Sequence, residues 1–129
     1  MNGKVLVDTN VVIALFAGEP GVVERLRHSE AVFLCVPVVG ELRYGAQASA
    51  RVESNLSRLD QFARALMVLH CDPDTASAYA KVKFGLRQKG RPIPENDVWI
   101  AAIAQQHDLT LLTRDSHFEQ IEGLGVELV

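Results

Sequence analysis

Short apolar runs alternate along the chain with longer stretches in which apolar residues recur every three or four positions. That alternation predicts strands separated by helices. Residues 4–8 are a continuous apolar run ending in Asp8, as expected of a central parallel strand buried on both faces. Thr9 and Asn10 follow, and either suits the cap of a helix over 11–17 that Gly18 ends. Pro20 opens a second helix, carrying Val22, Val23 and Leu26 inward. A strand is expected over 31–36. Pro37 then starts a helix with Val38, Val39, Leu42 and Ala46 on its apolar face, and Glu41 and Arg43 among them. Leu56, Leu59, Phe62, Ala63 and Leu66 mark an amphipathic helix over 53–66, and 67–69 is a third short strand. Asp72-Pro73 pairs an N-cap with a first-turn proline. The helix it starts carries Ala76, Tyr79, Ala80, Val82, Phe84 and Leu86, and stops at Gly90. Two prolines stiffen the loop over 91–94.

The segment 93–118, IPENDVWIAAIAQQHDLTLLTRDSHF, reads as one helix–strand unit with an acid at each end. Residues 98–104 are almost wholly apolar, so that helix is expected to be buried on most of its surface. His107-Asp108 stops it, 110–113 is a β-branched and leucine-rich strand, and Asp115 follows directly. A last strand is expected over 126–128. No internal repeat, linker or low-complexity tract appears. The pattern predicts a single α/β domain over 1–129, with a mainly parallel central sheet flanked by helices.

Composition narrows the setting. A chain of 129 residues, 48% of them hydrophobic, suits one domain with a substantial core. No apolar run approaches the roughly 20 residues of a membrane-spanning helix, and the N-terminus does not read as a signal peptide. A cytoplasmic protein without a membrane partner is therefore expected. The formal net charge of −3 argues against a generally basic nucleic-acid binder but leaves room for a local basic patch. Cys35 and Cys71 each end an apolar run without CxxC spacing. They read as small buried hydrophobes whose thiols approach if their strands are neighbours.

Chemistry concentrates in the carboxylates. Asp8 ends the first strand and Asp115 the fourth, which places both at one edge of a parallel sheet, where ligands bind in open α/β folds. Asp97 and Glu41 lie near the starts of helices that approach that edge. Taken singly, Asp97 also suits a helix N-terminus, worth about 0.3–1 kcal/mol, and Asp115 suits the opening of a turn. Gathered together, four carboxylates repel one another, and some stay protonated unless a cation joins them. An all-oxygen set suits Mg2+ or Mn2+.

Lys81, Lys83, Arg87, Lys89 and Arg91 form a basic run without an intervening acid. It reads either as a phosphate-binding rim or as a solvated face complementing a helix C-terminus. Arg114 and His117 flank Asp115 and either touch substrate or are simply exposed. Arg43, two residues from Glu41, is expected to point elsewhere. His28, His70 and His107 read as structural, and Trp99, Phe62 and Phe84 as core. No GxSxG elbow or glycine-rich phosphate loop is present.

Four motifs in order, VDTN ending at Asn10, ELRYG from Glu41, NDVWIAA from Asn96 and LLTRDSHF ending at Phe118, give the chain a family likeness. It resembles the PIN-domain ribonucleases and, more narrowly, the VapC toxins of bacterial toxin–antitoxin pairs, over essentially its whole length. The resemblance implies an acidic active site of Asp8, Glu41, Asp97 and Asp115, with Mg2+, or Mn2+, held chiefly by Asp8 and Asp97. Thr113 and Asn10 match polar helpers that orient carboxylates by hydrogen bonds. Asn96 stands where some relatives carry an acid, which leaves one or two metals open. The resemblance further implies an endoribonuclease acting on structured RNA such as tRNA or a ribosomal RNA loop. A cognate VapB-like antitoxin and a homodimer are implied as well. Lys83, Arg87, Arg91 and Arg114 are the candidate contacts to RNA.

The rival from another class is a receiver-like phosphoacceptor signalling domain, with Asp72 as acceptor and Thr113 as switch hydroxyl. A single acid at the end of the first strand and the lack of a lysine in the last strand weigh against it. A haloacid-dehalogenase-like phosphatase wants a second Asp where Asn10 stands. A catalytically silent partner-binding domain is the third alternative.

Overall fold

Val5, Leu6 and Val7 are fully buried because β1 (Lys4–Val7), the strand they form, lies in the middle of the sheet. The structure, a computed structural model, describes residues 3–129. Among these, β2 (Ala31–Cys35), β3 (Met67–Leu69), β4 (Thr110–Thr113) and β5 (Val126–Leu128) complete a sheet of order β3-β2-β1-β4-β5. Every neighbouring pair is parallel, with Leu6 opposite Phe33 on one side and Leu111 on the other. The helices are α1 (Thr9–Phe16), α2 (Pro20–Arg27), α3 (Val36–Gln47), α4 (Val52–Ala65), α5 (Pro73–Lys89) and α6 (Glu95–Gln106). From β1 the chain steps outward to β2 and β3, then crosses back to lay β4 on the other side of β1. Right-handed crossovers send these two sets of connections to opposite faces. The boundary between β1 and β4 is thus a topological switch point, where the carboxyl ends of the strands open a crevice.

Local sequence explains the element ends. Asp8, rather than Thr9 or Asn10, caps α1, its side chain accepting from the Thr9 N–H at 2.8 Å. α3 begins at Val36, so the strand expected over 31–36 ends one residue early, with Pro37 in the first helical turn. α5 opens with a reciprocal box. Asp72 accepts from the Thr75 N–H, and the Thr75 hydroxyl accepts from the Asp72 N–H. Gly90, at φ 68°, closes the same helix in the left-handed conformation. In α6, Ile100 to Ala104 have no exposed surface, and α5 packs along this helix.

Two expectations are corrected. Phe84 is 59% exposed and does not join the core. It lies two residues from buried Val82, roughly 200° around the helix and off the stripe that Val82 and Leu86 form. Cys71 is exposed while Cys35 is buried, and both are free; burial pushes the Cys35 thiol up to about 12. The stretch after Asp115, which taken singly suits the opening of a turn, is a 3₁₀ helix (Ser116–Gln120) anchored by fully buried Phe118. Trp99 stacks on Tyr79 at 4.0 Å, and Phe62 meets Phe16 edge-on at 5.2 Å, both partly buried beside the core. No described helix is long and apolar enough to cross a membrane.

Candidate active site

The crevice is built from the carboxyl ends of β1 and β4, the first turns of α1 and α6, and the second turn of α3. Asp8 leaves β1 pointing into it and is only 3% exposed. Its two oxygens take separate donors: Oδ1 accepts from the Thr9 N–H at 2.8 Å, and Oδ2 from the Thr113 hydroxyl at 2.7 Å. Burial pushes the Asp8 carboxyl above its ordinary range, with Asp115 and Glu41 adding repulsion, while the two hydrogen bonds pull the other way. Thr113 ends β4 fully buried, and its Oγ1 also accepts from the Asp115 N–H at 3.0 Å. One hydroxyl thus ties Asp8 to the backbone that aims Asp115.

Asn10, the second residue of α1, performs a parallel task. Its Nδ2 donates to Asp115 Oδ2 at 3.2 Å, and its Oδ1 accepts from the Arg114 N–H at 3.2 Å. Thr9 donates its hydroxyl to Glu41 Oε1 at 2.5 Å, fixing the exposed Glu41 at the solvent side of the crevice. Asp97 comes from the first turn of α6, its side chain 14% exposed. Burial first, then the charge of Asp8, push its pKa up to about 6. Glu41 adds to that push, and neighbouring His117 opposes it. His117 Nε2 lies 3.0 Å from Asp97 Oδ2.

The sequence therefore named four acids that the fold directs to one crevice, as the hydrogen bonds and mutual charge effects among them record. The tightest potential ligand group differs from the expected pair of Asp8 and Asp97. Asp97, Asp115 and His117 each offer an atom within 4.8 Å of the other two, while Asp8 lies deeper, held by Thr9 and Thr113. An all-oxygen reading overlooked His117, although it stands only two residues from Asp115. Thr9 was overlooked as the partner of Glu41, a contact across 32 positions that no local spacing signals.

Among the described residues, no lysine or arginine is ion-paired with Asp8, Glu41, Asp97 or Asp115. The described lysine and arginine ion pairs go elsewhere: Arg114 to Glu19, Lys83 to Glu95, Arg43 to Asp60, Lys89 to Glu122 and Arg25 to Glu127. Carboxylates held close together, two of them pushed upward by burial, fit a divalent cation as the missing positive charge. Arg114 sits beside the crevice with both terminal nitrogens on Glu19, at 2.5 and 3.3 Å. Lys83 is held by Glu95 at 2.8 Å and the Tyr79 hydroxyl at 3.2 Å. Lys83, Phe84 and Arg87 line a groove of about 450 Å³ with Pro92 and Ile93, and Arg91 is exposed next to it. Asn96 donates its Nδ2 to the Pro37 carbonyl at 3.5 Å and lines a pocket with Thr9 and Glu41. Asp72 is spent on capping α5 and on Gln106, so the acceptor that the receiver reading needs is a structural cap.

Known proteins resemble the chain over nearly its whole length. The PIN domain family model matches residues 5–124. Ribonuclease VapC2 of Haemophilus influenzae is 32% identical over 127 residues, covering 96% of each chain. The tRNA(fMet)-specific endonuclease VapC of Shigella flexneri is 30% identical over 127 residues, again covering 96% of each. Among solved structures, VapBC2 from Rickettsia felis bound to a DNA fragment from its promoter superposes with a TM-score of 0.90, 27% identity and 98% of each chain. DNA-bound VapBC from Salmonella typhimurium gives 0.89, with 28% identity over 99% of this chain and 98% of that one.

Proposed function

The chain belongs to the PIN-domain family, on its VapC ribonuclease branch, and from that premise we propose that it is a divalent-cation-dependent endoribonuclease, the toxin of a VapB–VapC pair. The observation that carries this reading is the convergence of Asp8, Glu41, Asp97 and Asp115 on one crevice at the β1–β4 switch point. Asp8, Asp97 and Asp115 would hold the cation, Mg2+ or Mn2+, with Glu41 completing the set from the solvent side. When bound, such an ion lowers the pKa of water and offsets negative charge on a phosphodiester.

The protein's own residues set the geometry. Thr113 and Asn10 orient Asp8 and Asp115 before substrate arrives, which removes reorganisation from the reaction itself. Asp97, poised near neutrality, gives up its proton readily when positive charge enters. Glu41, exposed and fixed by Thr9, accepts hydrogen bonds from water approaching the scissile phosphate. Water attacks phosphorus, the bond to the leaving oxygen breaks, and no covalent enzyme intermediate is needed. Lys83, Arg87, Arg91 and Arg114 form the rim that meets RNA phosphates, Arg114 by exchanging Glu19 for a phosphate oxygen. Structured RNA, tRNA foremost, is the proposed substrate. This is the substrate class named for the Shigella flexneri relative.

The proposed partner is a VapB-like antitoxin, as in the VapBC assemblies that the fold matches. A groove of about 340 Å³ lined by Thr9, Ile13, Phe16, Glu41, Leu42 and Arg58 opens beside Glu41, so an antitoxin segment seated there would also cover the acids. Ile13, 57% exposed, is its apolar anchor. The toxin itself is proposed to act as a homodimer in the cytoplasm.

The purified protein is expected to cleave tRNA with Mg2+ or Mn2+ and to stop in EDTA. Asp8→Asn and Asp97→Asn should abolish cleavage while circular dichroism stays unchanged. Equal cleavage in chelator and in added cation would overturn the metal-dependent reading.

A further inference from the structure

His117 enters the crevice from an element that contributes no other side chain to it. The 3₁₀ helix is pinned by Phe118, which is fully buried, and the His117 ring rests against the Phe118 ring with centroids 4.8 Å apart. That contact, together with the 3.0 Å approach of Nε2 to Asp97 Oδ2, turns the ring nitrogen toward the acids. Nε2 and oxygens of Asp97 and Asp115 all fall within 4.8 Å of one another, a spacing that one ion can satisfy. A cation placed among the three groups would meet one ring nitrogen and two carboxylate donors.

We propose that His117 is a nitrogen ligand of the catalytic cation, and that with Asp97 and Asp115 it selects a first-row transition ion, represented by Mn2+, over Mg2+. The inference rests on the nuclease reading and sharpens it to the identity of the ion. Mg2+ is a hard cation that takes oxygen donors and keeps its waters. A neutral imidazole beside two carboxylates favours the softer first-row ions. Asp8, whose two oxygens already accept from Thr9 and Thr113, would add its carboxylate from beneath these three close ligand atoms.

The test is cation binding by the full-length toxin, separate from its cleavage of RNA. Calorimetric titration is expected to give tighter binding of Mn2+ than of Mg2+. His117→Ala should weaken Mn2+ by about tenfold or more, the scale on which even the supports of metal ligands matter, and leave Mg2+ nearly unchanged. Pulsed electron paramagnetic resonance of the Mn2+-loaded wild type should show coupling to an imidazole nitrogen that His117→Ala removes. The spectroscopic arm reads the wild type directly, so it holds even if the variant folds poorly. Bound Mn2+ without nitrogen coupling, or an unchanged Mn2+ to Mg2+ preference in the variant, would overturn the role of His117. Loss of that same Mn2+ in Asp97→Asn would then leave the metal nuclease standing. A wild type that binds neither ion would overturn both.

Discussion

At the scale of single residues, Thr113 shows how much of the site depends on a group that takes no part in bond breaking. Its hydroxyl donates to Asp8 and accepts from the Asp115 N–H, both away from water. Thr113→Val keeps the β-branched shape and removes both contacts. It is expected to cost about 1–3 kcal/mol of stability, because a buried acceptor and a donor lose partners. It should lower kcat by about 10–100-fold, read by thermal melting and by RNA cleavage. Asp97 gives a pH signature. Its pKa rises from 3.8 to about 6 on folding, so between those values the folded chain holds a proton that the unfolded chain has released. Its contribution to stability is present at low pH and lost as pH rises through about 6. Asp8 shifts in the same direction. The metal-free protein should therefore melt higher near pH 5.5 than near pH 7.5. Added Mn2+ should raise the melting temperature more at the higher pH. At this scale the acids were legible because each adjoins an apolar element. His117 and Thr9 were not, since their roles come from contacts with Asp97 and Glu41 across 20 and 32 positions.

At the scale of elements, α6 sets the position of Asp97 by how closely it can lie against its neighbours. Ala101, Ala102 and Ala104 are fully buried, and small side chains there let the helix approach closely. Ala101→Leu is expected to cost about 1–3 kcal/mol and to displace the first turn of α6. Cleavage should fall more than the loss of folded protein explains, as measured by activity per folded molecule. This helix was readable from its nearly unbroken apolar run, and α5 from Asp72-Pro73 and Gly90, whose capping chemistry is local. The exposed Phe84 was misread because hydrophobicity was counted without its angular position. The 3₁₀ helix was missed because its anchor, Phe118, depends on a tertiary socket.

For the whole molecule, the balance of charge is negative although the proposed substrate is a polyanion. On the proposed reading attraction is local, through the basic residues of α5 that line the groove with Pro92 and Ile93. Lys83 is engaged by Glu95, whereas Arg87 has no described ion pair. Arg87→Gln is expected to raise KM for RNA with kcat little changed. It should make the dependence of log affinity on log salt shallower by about 0.7, one phosphate contact on a single strand, as measured by binding titrations over a salt series. The strand order could not be read from alternation alone, because several orders share the same sequence of elements. The order has a temporal consequence for a chain made from its N-terminus. β1 is synthesised first yet lacks its hydrogen-bonded neighbour β4 until more than a hundred residues have followed. A partly made polypeptide thus carries Asp8 without a completed crevice, and the four acids meet only after synthesis has passed Asp115.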